Sequence, residues 1–511
     1  MTEILTTLKF QEEQNRANYL KFLKIVKSMA EMLGMTIKKE ENFSEWYTQV
    51  IQKAELADIR YNVKGFIVFQ PWSVLSMEKM YKFLENALQR KGHKPYWFPT
   101  VIPEKNFRLE SSHIEGFTPE VFWITSHGKN DPIEEKLALR PTSETAFYQM
   151  FSLWIRSYKD LPFKTYQRAQ VFRYETKATR PFLRSREFHW IETHCAHATK
   201  EDAMQQVYED MATTKEIIHD VYGLPFLFFE RPEWDTFPGA ERTFAADVLN
   251  PDGKLVQQPS THLLNQNFAK AFQVTYKDKE EKDLFVWLTC YGPAISRIFA
   301  SVIIVHGDDK GLRFPWKIAP LEIIIAVINP NEALIKKAEK LKEKLEAENF
   351  SVEIDSTERT FGEKCFFWEL KGVPVRIELG EKEVKEKKLG LFRRDLSKKE
   401  KREEKEIVKA VKKISLEFDK NLIEQADQLM KNCILTAKEK NGIKKGIESG
   451  KIVKIEFCSV RNEGKKCAEW IEKEVQAYVR GTRLDETEKP SGNCVICGKK
   501  ATAIVYIARA Y

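Results

Sequence analysis

The sequence predicts an α/β protein of several domains, and three observations carry that reading. The chain has 511 residues, more than one ordinary hydrophobic core holds, so two to four domains are expected. From Leu321 to Leu379 short apolar runs alternate with helix-spaced stretches, the pattern of a parallel sheet covered by helices. Around Phe172 and Trp190 charged and aromatic residues alternate with period two, as in paired strands that turn one face to a ligand.

Composition narrows the class. Charged residues make up 31% of the chain and the net charge is +8, which permits an anionic partner without requiring one. No run of roughly 18 apolar residues is present. The first residues carry Glu3, Glu12 and Glu13 in place of an apolar signal core. The expectation is a soluble, cytosolic chain with no membrane partner. Its eight cysteines are then thiols or metal ligands, not a disulfide framework.

Taken in order, residues 1–42 read as a charged helical extension, with Leu20, Leu23, Ile25 and Met29 near helical spacing. Residues 77–92 read as a helix closed by Gly92. Residues 96–101 read as a strand, and Pro99 inside it marks an edge or an interface. In LALRPTSET (137–145) Thr142 and Glu144 lie two residues apart in an extended segment and point the same way. Together they suit one cationic amino group. Equally, Ser143 or Thr142 caps a helix over 146–154.

Residues 171–198 carry the densest chemistry. The segments 172–175 and 184–190 read as antiparallel strands joined by a basic loop (Lys177, Thr179, Arg180, Pro181), where Pro181 disfavours helix before it. The hairpin gathers Arg173, Arg184 and Arg186 at one surface beside Phe188 and Trp190. Guanidiniums offer phosphate bidentate donors, and a ring or a guanidinium plane covers a purine. The plain alternative is a hairpin with solvated charges.

Further on, 235–247 and 256–270 form another strand pair leading to a helix start. Gly239 supplies a tight backbone position, and Gln257, Ser260 and His262 are polar groups among apolar ones. A buried, hydrogen-bonded histidine is the usual reason for a residue such as His262. In 290–308 a glycine strand precedes a hydrophobic helix opened by Arg297, and a guanidinium there suits a polyphosphate.

A composition shift at 315–320 marks a linker. Beyond it, 321–329 reads as a buried parallel strand, followed by helix 332–348, strand 351–355, helix 362–370 and strand 373–379. The mixed-charge run 382–413 reads as a solvated helix. Near the end, Cys458, Cys467, Cys494 and Cys497 form a four-thiolate zinc pattern, and a closed site of that kind is structural. Cys195, Cys290, Cys365 and Cys433 read as isolated thiols.

Several of these stretches, in this order, resemble one family. FRYE (172–175), TRPFLRSRE (179–187) and WIETH (190–194) resemble motif 2 of the class II aminoacyl-tRNA synthetases, and specifically the prolyl-tRNA synthetases of archaeal and eukaryotic type. The resemblance runs from about Phe43 to the last residue. The segment with Pro99 is similar to motif 1, TSE (142–144) to the loop that holds the amino group of proline, and 290–308 to motif 3. FGEKCFFWELKGVPVRIELG (361–380) resembles the anticodon-binding domain. Residues 504–511 resemble the terminal segment whose final tyrosine carboxylate returns toward the catalytic domain. Two departures are Ser260, where a threonine is expected, and a step from Gly292 to Arg297 one residue longer than usual. An aromatic is also expected near Arg242. About a hundred residues separate His194 from Arg297, too few for the large editing insertion of bacterial prolyl enzymes.

The resemblance implies a helical extension (1–42), an antiparallel-sheet catalytic domain (43–318), an α/β anticodon-binding domain (319–412) and a small zinc-containing α/β domain (413–511). It implies a homodimer through motif 1. It implies that proline and ATP, with Mg2+, give prolyl-adenylate, and that prolyl passes to the 3′ end of tRNA(Pro). ATP then falls to Arg173, Glu175, Arg184, Phe188, Gln257 and Arg297, with Arg173, Arg184 and Arg297 stabilising the reacting phosphates. Proline falls to Thr142, Glu144, Arg173, Trp190, His194, Ser260 and His262, and anticodon bases to Glu369, Arg376 and Lys398. A catalytically altered paralogue that binds tRNA or a protein is the alternative, and the longer motif 3 step is its only support.

Overall fold

The computed structural model describes residues 34–108, 121–176 and 178–511. The helical reading of residues 1–33, with Leu20, Leu23, Ile25 and Met29, and Lys177 of the basic loop lie outside the described residues. Residues 34–42 form bends and turns, not helix. No described helix is long and apolar enough to cross a membrane. The described chain divides into two compact units, one of residues 34–56, 70–72 and 306–418, the other of residues 57–69, 73–305 and 419–511.

The second of these is organised on one sheet of eleven strands. Its elements, in chain order, include helices α1 (Pro71–Arg90) and α2 (Glu144–Trp154), strands β1 (Phe163–Phe172) and β2 (Glu187–His197), and helix α3 (Lys200–Thr214). Strands β3 (Leu227–Glu230), β4 (Arg242–Leu249), β5 (Lys254–Asn265) and β6 (Trp287–Tyr291) follow, then helix α4 (Ile295–His306). In space the central strands run β3-β4-β5-β6-β2-β1, and every neighbouring pair is antiparallel. Beyond β3 the sheet continues through Tyr478–Arg483, Ala503–Ala510, Ile452–Phe457 and Ile434–Thr436. Residues 254 and 255 of β5 also pair, in parallel, with Arg509 and Ala510.

Register places the chemistry. The β1–β2 ladder pairs Gln167 with Glu192, Ala169 with Trp190 and Val171 with Phe188. Side chains alternate along a strand, so Phe188, Trp190, Glu192 and His194 share one face of β2. The two faces of the sheet are covered by different helices. Phe147, Tyr148 and Phe151 of α2 pack with Leu264 and Phe268, while Ala203 and Val207 of α3 pack with Phe244 and Leu263. Beside the pairing of β3 with Tyr478–Arg483, the fully buried Asp247 of β4 accepts from both forks of Arg231 at 2.8 and 2.9 Å and from Arg480 Nε at 2.9 Å.

Three expectations in this unit need correction. Helix α1 begins at Pro71, six residues before the expected start, because proline suits the first helical position. The expected strand over 96–101 does not form: Lys94–Pro95 and Val101–Pro103 are separate short strands, with 96–100 between them. Pro99 cannot donate to a ladder, and the carbonyls of Phe98 and Pro99 instead accept from Arg140 at 3.0 and 3.4 Å. Finally, the hairpin strands stop at Phe172 and resume at Glu187, so Arg173, Glu175, Arg184 and Arg186 sit in the connecting loop. A bridge between Arg180 and Arg184, with Phe182 at φ +61°, folds that loop back on itself.

The other unit is the α/β one. Its five strands lie in the order Val352–Asp355, Ile323–Val327, Val375–Leu379, Lys388–Arg393, Lys398–Glu403. The first three are parallel, the last two antiparallel additions. Helix Phe361–Lys371 starts at a capping box of Thr360 with Glu363 and ends at Gly372 in the left-handed region. The run 382–413 is therefore not one solvated helix. It contributes two strands to the sheet, because Leu389 and Leu391 are fully buried among its charges. The stretch 315–320 is packed instead of open: Trp316 and Ile318 are buried, and Trp316 meets the rings of Phe350 and Phe418.

Candidate active site

A cavity of about 300 Å3 opens over the shared face of β2. Phe188, Trp190, Glu192 and His194 line it from β2, Thr142 and Glu144 from the segment entering α2, and Gln257, Ser260 and His262 from β5. Arg173, just past β1, and Arg297, in the first turn of α4, complete it on another side.

One end is acidic. Thr142 Oγ1 donates to the Glu144 carboxylate, while Ser143, at the N-cap of α2, makes no side-chain cap. The two side chains thus point together, as the spacing predicts, and the capping role is not taken up. Glu192 adds a second buried carboxylate. It accepts from Gln167 Nε2 at 2.6 Å and faces His194 Nε2 at 3.3 Å, whose Nδ1 meets the Tyr148 hydroxyl at 2.9 Å. Burial pushes the Glu192 carboxyl up, but the donors His194, Ser143 and Gln167 outweigh it and hold it below the usual range. Sequence reading passed over Glu192, although its alternation with Trp190 and His194 marks it.

His262 is the buried, hydrogen-bonded histidine that its apolar surroundings suggest, and it also faces the cavity. It has both nitrogens bonded, Nδ1 to Thr243 Oγ1 and Nε2 to Ser260 Oγ, each at 2.9 Å. Burial, with help from Arg231 and His194, pulls it down to about 3, so the ring is neutral. Cys290 is a free, buried thiol, as expected, and it also lines the cavity. Burial and the carboxylates of Glu144 and Glu192 push it well up.

The other end is basic. Arg173 Nε donates to the Pro141 carbonyl at 3.0 Å, and its guanidinium lies 5.3 Å from the Phe188 ring and 5.9 Å from the Trp190 ring. Arg297 Nε donates to the Leu183 carbonyl at 3.3 Å. Burial and then the guanidiniums of Arg173 and Arg184 pull Arg297 down to about 10, against the opposing charge of Glu175. The positive charge gathered around Arg297 suits an anionic ligand. Ahead of α4 the Pro293 carbonyl accepts from Ile191 N–H at 3.0 Å, and in its first turn Ser296 Oγ accepts from His189 N–H at 3.3 Å.

Two residues assigned to ATP, Glu175 and Arg184, stand outside the cavity lining. Arg184 lies 3.5 Å from Glu175 and donates to the Tyr511 backbone oxygen at 2.7 Å. Arg186 stacks on Tyr174 at 3.9 Å.

In the α/β unit, Arg376 pairs with Glu369 at 3.0 Å and with Glu378 at 3.3 Å, all three buried. Lys398 is exposed at the start of its strand. In the sheet unit the sulfurs of Cys458, Cys467, Cys494 and Cys497 all lie within 4.8 Å of one another. That spacing fits a tetrahedral ion with metal–sulfur bonds of about 2.3 Å. The backbone N–H of Lys499 is the main influence that lowers the Cys497 thiol to about 7, which favours the ligating thiolate.

Comparison with known proteins matches this geometry. Residues 122–306 match the tRNA synthetase class II core domain (G, H, P, S and T), residues 322–414 the anticodon binding domain, and residues 440–511 the C-terminal domain of prolyl-tRNA synthetase. The chain is 46% identical to a proline–tRNA ligase of Thermofilum pendens, over 94% of this chain and 99% of that protein. It is 40% identical to that of Methanopyrus kandleri, over 92% and 96%. Among solved structures, Giardia lamblia prolyl-tRNA synthetase in complex with prolyl-adenylate superposes with a TM-score of 0.90 at 34% identity, covering 93% of this chain and 100% of that one. The Cryptosporidium parvum enzyme complexed with halofuginone and AMPPNP gives 0.90 at 31% identity, covering 94% and 100%.

Proposed function

The chain belongs to the prolyl-tRNA synthetases and is a proline–tRNA ligase that activates proline with ATP and transfers prolyl to tRNA, and from that premise we propose how its cavity divides the work. The observation that carries the division is polarity: buried carboxylates at one end of the cavity, and at the other the guanidiniums of Arg173 and Arg297, with Arg184 near enough to act on Arg297.

Proline enters as a zwitterion. Its ammonium is held by Glu144 and Thr142, its ring lies against Trp190 and His194, and Ser260 and His262 form the far wall. Arg173 receives both the proline carboxylate and the α-phosphate of ATP. Glu175 and Phe188 hold adenine, Gln257 contacts the nucleotide, and Arg184 and Arg297 take the departing phosphates. A carboxylate oxygen of proline attacks the α-phosphorus in line, the bond to the bridging oxygen breaks, and pyrophosphate leaves with the electron pair. No enzyme nucleophile is required, so positioning and charge stabilisation supply the rate. Mg2+ fits as an ion carried in on the triphosphate, since the lining carboxylates Glu144, Glu192 and Asp235 each face a protein donor.

Glu369, Arg376 and Lys398 read the anticodon of tRNA(Pro) through bidentate contacts to base edges, with the Arg376 pairs exchanged for bases on binding. The active form is a homodimer joined through the segment around Pro99, where Trp97 is 90% exposed, and the enzyme works in the cytosol.

Replacing Glu144 by Gln tests the cation site. It keeps the shape and removes the charge, and a hydrogen bond to a charged group contributes about 1.5–3 kcal/mol. The KM for proline should rise roughly ten- to a hundredfold while that for ATP barely moves. An unchanged proline constant would return Glu144 to a purely helical role.

The four thiolates hold a structural zinc. Metal analysis of protein purified without chelator should find one zinc per chain. Cys494→Ser should lower the thermal midpoint before it touches pyrophosphate exchange, because closed thiolate sites contribute folding energy directly. Protein free of zinc would end this assignment.

A further inference from the structure

Gln167 lies behind the cavity wall, 1% exposed, directly opposite Glu192 on the β1–β2 ladder. Its amide nitrogen donates to Glu192 Oε1 at 2.6 Å and to Ser143 Oγ at 3.0 Å. Its carbonyl oxygen accepts from Phe98 N–H at 3.2 Å and from Arg140 Nη1 at 3.4 Å. Two acceptors face the nitrogen and two donors face the oxygen, so only one flip of the amide satisfies all four. Arg140 is itself pinned by the main-chain carbonyls of Gln170 at 2.8 Å and Phe98 at 3.0 Å. The amide is therefore fixed from the backbone side, and what it holds on the cavity side inherits that fix.

We propose that Gln167 is a positioning residue for proline: it sets the rotamer of Glu192 and, through Glu192, the His194 ring. The proposal rests on the reading that this cavity takes proline. Glu192 and His194 both line the cavity and are 3.3 Å apart, so a turn of the carboxylate displaces the imidazole. The shared bond to Ser143 ties the same amide to the segment that carries Thr142 and Glu144. One neutral side chain thereby registers both walls of the substrate pocket. It also lets a second carboxylate stay charged close to Glu144, since a donor that favours the ionised form offsets burial.

Steady-state pyrophosphate exchange on the full chain tests this. Gln167→Met keeps the length and removes donor and acceptor, whereas Gln167→Glu keeps the shape and sets a second carboxylate against Glu192. The KM for proline should rise at least tenfold in Gln167→Met and further in Gln167→Glu. The KM for ATP should stay within twofold, and kcat at saturating proline within threefold. Gln167→Asn, one methylene shorter with the same amide, should also raise the proline constant, and it serves if either other variant fails to fold. A merely structural role would lower kcat and the thermal midpoint without selecting proline over ATP. Proline constants within twofold of the parent, or proline and ATP constants rising together, would overturn the proposal. Absence of proline-dependent exchange in the unaltered chain would instead overturn the reading beneath it.

Discussion

Arg173→Ala is expected to lower proline-dependent pyrophosphate exchange roughly a hundred- to a thousandfold, because losing one preorganised donor to a transition-state oxyanion costs about 2.7–4 kcal/mol. The geometry makes this residue the hinge of the chemistry. Its Nε is tied to the Pro141 carbonyl, which fixes the guanidinium plane, and the aromatic rings of Phe188 and Trp190 lie close to it. In the proposed division of the cavity both substrates' reacting charges fall to it: the attacking carboxylate and the α-phosphate. Truncation should leave the fold intact, since Arg173 lies in the loop past β1 and holds no sheet rung with its side chain. Exchange measured beside the far-ultraviolet circular dichroism and thermal midpoint separates the two effects. A loss under about fivefold in a folded variant would remove Arg173 from the α-phosphate.

Asp247→Ala should destabilise the fold by about 3–5 kcal/mol, the cost of leaving buried cations without their partner. Asp247 is fully buried and bonded to both Arg231 and Arg480, so the variant strands two guanidiniums beside the joint between β3 and Tyr478–Arg483. Burial opposes the charged form of this carboxyl, yet the two guanidiniums win and hold it at about 2, below the usual 3.8. The sign follows from that depression. The folded state binds the proton more weakly than the unfolded one, so this stabilisation is full above about pH 4 and is lost as pH falls toward about 2. Denaturant titrations at neutral pH measure the first effect. For the second, Asp247→Asn should flatten the acid limb of stability, and an unchanged limb would show that other carboxylates set it.

Much of this molecule was legible in the sequence because its patterns are local. The apolar run around Ile323–Val327 and the helical stretch 362–370 announce buried strand and helix with no help from distant residues. Thr142 and Glu144 were paired on the strength of extended spacing, and their side chains do meet, although Glu144 in fact opens α2. What was missed depends on partners far along the chain. Residues 388–403 read as solvated helix until the burial of Leu389 and Leu391 against the sheet is known. Arg231, Asp247 and Arg480 are separated by up to 249 residues, so no window contains the cluster. Gln167 and Glu192 are neighbours only through the ladder. The strand expected over 96–101 failed for the opposite reason: its proline was seen, but its cost to the ladder was set too low.

The most direct test of the account is amino-acid-dependent ATP–pyrophosphate exchange, run separately with each of the twenty amino acids. Proline should support the fastest exchange. Alanine should give a detectable but slower rate, because an apolar pocket discriminates by only about 1–3 kcal/mol per methylene. No exchange with proline, or faster exchange with another amino acid, would contradict the assignment of this cavity to proline activation.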